Sequence, residues 1–366
     1  MTERSFIFAG GGTGGHIYPA LAIAEEIERA HPGARCVFVC SDRAIDAAVL
    51  ERTGAPYTVI PARPFGLKPR TAARLVWRWG ACVRAGRRLI RAERKAGFEP
   101  IVVTTGGFVG PPMAQAARAA RAAVALVNLD AAPGLANRRI GRRAQAAFTT
   151  YAVADRPAWE VIAPIVREGA RPAADAGRCR VELRLDPQAP TLAVLGGSQG
   201  AGTINQAMIE IARGASASLE PWQIIHQSGE REISSIRAAY KKAGVRAIVE
   251  PFFDPIGAVW GAADLVVTRA GAGTVAEAWA SGTPAVFLPY PFHHDSHQRL
   301  NAAPMVDAGA GIALPDRVDP VENARVLAAA LSDLRPDGAM LGRMRNAAAD
   351  LGPTDGAPAV ARALAG

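Results

Sequence analysis

Apolar and polar positions in the 366-residue chain follow two alternating periods. Short apolar runs, "FIFAG", "RCVFVC", "YTVIPA", "PIVVTTGG", "AVALVNLD" and "AAFTTY", read as strands. Between them the apolar residues recur at helical spacing, as Leu21, Ile23, Ala24 and Ile27 do in "PALAIAEEIERA". Strands that alternate with helices in this way predict a parallel sheet covered on both faces.

From about residue 168 to 190, "EGARPAADAGRCRVELRLDPQAP" mixes Pro, Gly and charge with little periodicity, and this stretch is expected to be a linker. The grammar then restarts. "TLAVLGGSQGAGTINQAMIEIA" repeats the opening order of apolar strand, glycine-rich turn and amphipathic helix. Further strands are expected at "WQIIHQSG", "RAIVEPFF", "DLVVTRAGAGT", "PAVFLPYP" and "GIALP". The expectation is an α/β chain of two Rossmann-like domains with parallel sheets, facing each other across a cleft.

The glycine-rich turns are where chemistry is expected. "GGGTGGHIYPALAIAEEI" joins the first strand to the first helix, and Gly10, Gly12 and Gly15 satisfy G-x-G-x-x-G. The dinucleotide fingerprint also wants an acidic residue about 20 positions on, and Asp42 comes late. A tight structural turn and an anion-binding helix N-terminus both fit the letters. "GGFVGPP" follows the fourth strand, at the carboxyl end where open α/β sheets bind ligands.

In the second half, "GGSQGAG" brings backbone N–H groups and the Ser198 hydroxyl together, which suits a diphosphate. In "RAGAGTVAEAWASG", Glu277 lies three residues after Thr274. A carboxylate there suits a ribose diol, and a capping box of Thr274 with Glu277 suits the spacing equally. "PYPFHHDSHQRLNAA" gathers His293, His294, Asp295, His297 and Gln298 after a strand. His293 and His297 stand at H-x-x-x-H spacing, but no H-E-x-x-H occurs, and sugar recognition by polar side chains is expected there in preference to a metal.

Composition narrows the class. Apolar content of 49% fits a globular α/β protein, and no run approaches the roughly 20 apolar residues of a spanning helix. No secretory signal is expected. Cys36, Cys40, Cys82 and Cys179 form no CxxC pair, which points to reduced thiols. Residues 61–100 hold eleven Lys and Arg against two Glu, a local excess of +9 that equals the whole chain's net charge. There the cations interleave with Leu75, Val76, Trp77 and Trp79. This is either a solvated helix face or a patch for an anionic membrane surface. No nucleic-acid motif accompanies it, and no nucleic-acid partner is expected.

"GGTGGHIYPALAIA", "GGFVGPP", "LGGSQGAGTIN", "HQSG", "RAGAGTVAEAWASGTPAVFLPYP" and "HQRLNA" together resemble the MurG-type glycosyltransferases of family 28, in family order over nearly the whole chain. The resemblance implies a GT-B fold and transfer of N-acetylglucosamine from UDP-N-acetylglucosamine to lipid I, giving lipid II for peptidoglycan. It implies an acceptor and membrane domain at 1–165, a UDP-sugar domain at 166–349, and a helix at about 350–366 packing back on the first. It further implies peripheral attachment to the cytoplasmic face of the inner membrane, through a patch that here is Arg74, Leu75, Val76, Trp77, Arg78 and Trp79.

Residue by residue, the resemblance places Thr13, Gly14 and Gly15 on the donor and makes His16 a candidate general base. Ser198 would meet the diphosphate, Arg167 the donor, and Phe253 the uracil. Ala272, Gly273, Thr274, Val275, Ala276 and Glu277 would wrap the nucleotide, with Glu277 on the ribose and Gln298 on the sugar. The implied reaction is a single inverting displacement that calls for no cofactor and no metal. Two positions depart from the family. "VNLD" stands for His-Glu-Gln-Asn, so Asp130 replaces an asparagine and becomes a second candidate base; "APIVR" stands for Gly-Asn-Pro-Val-Arg. Rival readings are a nicotinamide oxidoreductase, a nucleotide-sugar sensor without turnover, and a transferase with another lipid-linked or glycolipid acceptor.

Overall fold

The computed structural model describes residues 3–11, 14–63, 69–197, 200–292 and 297–366, the side chains of 69–76 excepted. The chain divides into two compact units, Met1–Ile165 with Asp355–Gly366, and Val166–Thr354.

In the first unit the elements alternate as β1 (Arg4–Ala9), α1 (Gly14–Ala30), β2 (Arg35–Ser41), α2 (Ala44–Thr53), β3 (Tyr57–Ile60) and α3 (Pro69–Lys95). They continue as β4 (Glu99–Thr104), α4 (Gly110–Ala119), β5 (Ala123–Asn128), α5 (Leu135–Gly141), β6 (Ala146–Thr149) and β7 (Glu160–Val161). The strands pair in parallel in the order β3-β2-β1-β4-β5-β6-β7. Both faces are covered. Ile7, Val39, Val102 and Val124 share one cluster with Met113 of α4, while Phe8 stacks on Phe38 at 5.2 Å. Each such fully buried side chain contributes about 1.5–3 kcal/mol of transfer free energy.

The second unit runs through α6 (Ala176–Glu182), β8 (Thr191–Leu195), α7 (Gly202–Gly214), β9 (Gln223–Gln227), α8 (Ile233–Lys242), β10 (Ala247–Glu250) and α9 (Gly257–Ala262). There follow β11 (Leu265–Thr268), α10 (Ala272–Ser281), β12 (Ala285–Phe287), α11 (His297–Asp307), β13 (Gly311–Ala313), α12 (Pro320–Asp333) and α13 (Ala339–Ala349). Its parallel sheet has the order β10-β9-β8-β11-β12-β13, which repeats the order of the first sheet. Burial alternates along the central strands: Leu192 and Val194 enter one cluster, Ala193 and Leu195 the other. That is the two-residue period of a strand covered on both sides.

In both sheets the strand order reverses between the first and fourth strands of the unit. The turns after β1 and β4, and after β8 and β11, therefore flank the point where open α/β sheets take ligands. All four carry the glycine motifs.

Residues 168–190 are not a linker. They belong to the second unit, where Asp175 caps α6 through Arg178 N at 3.0 Å. Arg180 is buried, donating to Ala262 O at 3.1 Å and to Asp264 Oδ2 at 2.7 Å. These partners lie more than 80 residues away, so local periodicity carries no trace of them. At the chain's end α14 (Gly356–Ala365) packs on α1, and Arg4 Nη1 donates to Leu364 O at 2.7 Å.

Candidate active site

In the first unit, Gly14, Gly15 and His16 form the opening turn of α1, where backbone N–H groups have no partner within the helix. Thr13 lies outside the described residues. The ring of His16 is half-buried, with Nδ1 at 3.0 Å from the carbonyl oxygen of Thr105. A carbonyl only accepts, so Nδ1 carries the proton and Nε2 of the neutral ring is left as the acceptor. Thr105 Oγ1 donates in turn to His16 O at 2.6 Å.

The glycine pair after β4 cradles this histidine. Gly107 has φ +72°, and a Cβ there would stand 2.4 Å from Gly11 O and 3.1 Å from His16 Cδ2. Only glycine fits. Beneath Gly11 lies the fully buried Asp46, which accepts from Ser41 N at 3.2 Å and from Ser41 Oγ. Sequence reasoning missed this carboxylate, since nothing local marks it. Asp42, the late fingerprint candidate, is ion-paired with Arg63.

Asp130 follows β5, and its backbone is fixed by Asn128. That buried amide donates to Asp130 O at 2.8 Å and Thr149 Oγ1 at 3.0 Å, and accepts from Asn137 Nδ2 at 3.0 Å. Burial, and then the Asp130 charge, push the Tyr151 phenol well above its usual range.

In the second unit, Gly200 has φ +75°, and a Cβ on it would stand 2.4 Å from Ser228 O. The turn after β8 thus packs directly on the "HQSG" turn; Ser198 lies outside the described residues. His226 is a scaffold residue. It is fully buried between Tyr240 Oη (2.8 Å) and Asn205 Oδ1 (3.1 Å), and burial lowers its pKa to about 3.

The capping-box reading of Glu277 fails. The N-cap of α10 is Gly271, so Ala272, Gly273 and Thr274 form its first turn, and no side chain caps it. Val275 and Ala276 are buried, whereas Glu277 is partly accessible and accepts from Trp260 Nε1 at 3.0 Å through Oε2. Burial raises its pKa to about 7, opposed by the charge of Arg167 and by the Trp260 hydrogen bond. Arg167 itself lies 3.4 Å from Asp254 Oδ1. Phe253 is buried, and its N–H donates to Gln227 Oε1 at 3.2 Å. Gln298 lies in the first turn of α11 and accepts from Tyr290 N at 2.8 Å, which orients its amide. His293, His294 and Asp295 lie outside the described residues.

The basic stretch lies in α3. Trp77 is 69% exposed, Arg78 is half-buried, and Trp79 Nε1 donates to Gln115 Oε1 at 2.6 Å. Of Arg74, Leu75 and Val76 only the helical backbone is described. Among the described residues no helix is long and apolar enough to cross a membrane, and no cluster of His, Cys, Asp and Glu is arranged for a metal. The four cysteines are buried and free.

Residues 6–149 match the glycosyltransferase family 28 N-terminal domain, and residues 191–357 match the glycosyltransferase family 28 C-terminal domain. A protein of Desulforudis audaxviator is 37% identical over 363 residues, covering 94% of each chain. One from Syntrophotalea carbinolica is 36% identical over 378 residues, covering 97% of each. Both are named UDP-N-acetylglucosamine–N-acetylmuramyl-(pentapeptide) pyrophosphoryl-undecaprenol N-acetylglucosamine transferase. Among solved structures, Acinetobacter baumannii MurG superposes with a TM-score of 0.68 at 21% identity, over 99% of both chains, a likeness of fold. With both family domains matched in order and relatives at this identity over nearly its full length, the chain belongs to glycosyltransferase family 28.

Proposed function

We propose that this protein transfers N-acetylglucosamine from UDP-N-acetylglucosamine to the muramoyl 4-hydroxyl of lipid I, forming lipid II. The family, the names of the relatives and the chemistry of the glycine turns support this reading. The observation that carries it is the environment of Glu277. Its carboxylate is held by Trp260 beside the first turn of α10, one segment from the glycine turn after β8. A carboxylate accepts from both hydroxyls of a ribose diol, and glycine N–H groups receive a diphosphate.

In this mechanism the second unit holds the donor. Backbone N–H groups of the turn that holds Gly197 and Gly200 receive the diphosphate, to which Ser198 contributes its hydroxyl; Arg167 adds positive charge, Phe253 flanks the base, and Gln298 reads the sugar. In the first unit, Nε2 of His16 takes the proton of the attacking hydroxyl, with Asp130 as the alternative acceptor of that proton. The new bond forms at the anomeric carbon as the bond to UDP breaks, with inversion. The charge growing on UDP meets the N–H groups of the turn, which stabilise it in the transition state.

The exposed Trp77 and the cations of α3 support docking on an anionic membrane surface at its cytoplasmic face, where the lipid-linked acceptor is anchored. Incubation with both substrates, scored for lipid II, tests the activity. Binding of UDP-N-acetylglucosamine without transfer would favour a sensor, and binding of NAD(P) in place of UDP would favour an oxidoreductase.

A further inference from the structure

One guanidinium ties together the segments at the carboxyl edge of the second sheet. Arg269 follows β11 directly. Its Nη1 donates to Leu288 O, past β12, at 2.7 Å and to Asp316 Oδ2, past β13, at 2.6 Å. Its Nη2 donates to Thr203 Oγ1, in the first turn of α7, and the guanidinium lies 5.5 Å from the centroid of the Tyr290 ring. Tyr290 N is the donor to Gln298 Oε1.

Asp316 has a fully enclosed side chain and also accepts from Asn323 Nδ2 at 2.8 Å, from Val318 N at 2.7 Å and from Thr203 Oγ1. Burial alone would raise its pKa, but the hydrogen bonds from Thr203, Asn323, Val318 and Arg269 outweigh burial and hold it below the ordinary value. Val318 adopts φ +67°, a conformation costly for a β-branched residue that persists where its surroundings over-determine it. Thr203, Leu288 and the Asp316–Val318 segment are thus tied to one guanidinium–carboxylate pair.

We propose that Arg269 and Asp316 are positioning residues for the donor: without touching it, the pair sets the spacing between the first turn of α7, through Thr203, and Tyr290, whose backbone holds Gln298. The inference rests on the donor reading of the second unit. An ion pair that merely staples the fold would affect stability alone. The same sheet offers a matched comparison at its opposite, amino-terminal edge, where Asp264 accepts from Arg180 at 2.7 Å, Arg345 at 3.2 Å and Thr191 N at 2.8 Å.

The test compares Asp316→Asn with Asp264→Asn in the full chain, by thermal melts, UDP titration calorimetry and donor kinetics with lipid I. Both variants should lower Tm. Only Asp316→Asn should weaken UDP binding and raise the donor KM, by roughly tenfold, with kcat at saturating donor close to that of the unmodified protein. Arg269→Lys, which keeps the charge and loses the fork, should fall in between. Should Asp316→Asn fail to fold, Thr203→Val removes only the arm to α7 and should raise the donor KM a few-fold. Equal UDP affinity in both Asp variants, or unchanged donor KM in Thr203→Val, overturns the proposal. Failure of the unmodified protein to bind UDP overturns the donor reading itself, and the proposal with it.

Discussion

Trp260 donates its indole N–H to Glu277 Oε2 across 3.0 Å, from α9 to α10, and so commits one oxygen of the carboxylate that the proposed reading places on the ribose. Trp260→Phe keeps most of the packing and removes the donor, so the donor KM should rise with kcat little changed. Glu277→Ala should lower kcat/KM for the donor roughly ten- to a hundredfold, the worth of hydrogen bonds to a charged group. Steady-state kinetics on both variants check this. Unchanged donor kinetics in a folded Glu277→Ala protein would remove the residue from the site.

The same carboxylate predicts a pH dependence. Its pKa is raised from 4.5 to about 7, so the folded protein keeps a proton there that the unfolded chain releases. That contribution to stability is fully present below about pH 4.5 and is lost as pH rises through about 7. On the proposed reading donor binding has the opposite sign, because the ionised carboxylate is the stronger acceptor for a ribose diol. Donor KM should therefore fall as pH rises through about 7, and Glu277→Gln should flatten the profile. A profile that keeps its shape in the variant assigns the titration elsewhere.

For His16, the Thr105 carbonyl fixes the tautomer that leaves Nε2 basic. Loss of a positioned base costs on the order of 10²–10⁴-fold in rate. His16→Ala should lower kcat by that order while the donor KM changes little, because a base acts mainly in the transition state. A variant that retains most of its turnover transfers the role, and Asp130→Asn is then the decisive substitution.

Strands and glycine turns were legible in the sequence because both are local: burial on two faces writes a continuous apolar run, and a strand-to-helix turn writes its glycines. The partners that decide roles were not. Thr105 meets His16 from 89 residues away, and Trp260 reaches Glu277 from 17. Spacing alone therefore left Glu277 balanced between a cap and a ligand. Seven-residue α6 escaped notice because a helix of two turns carries no amphipathic signal, and Asp46 and Asn128 because a buried polar side chain is recognised only by what surrounds it.

The exposure of Trp77 makes the membrane reading separable from folding. Trp77→Ala should weaken co-sedimentation with anionic vesicles and leave the thermal melt nearly unchanged. Trp79 is tied to Gln115 of α4, so Trp79→Ala should lower Tm as well. Binding should decline with salt, as the screening length falls from about 10 Å at 0.1 M to about 3 Å at 1 M. Equal binding to neutral and anionic vesicles, indifferent to salt, contradicts electrostatic docking.

The central claim is the transfer onto lipid I, and the acceptor is the point to press. The direct measurement is a parallel incubation of UDP-N-acetylglucosamine with lipid I and with a glycolipid that lacks the muramoyl sugar, each product identified by mass. The expected result is addition of one N-acetylglucosamine to lipid I with equimolar UDP release, and none on the other lipid. Transfer to the glycolipid alone, or UDP release without a lipid product, would contradict it.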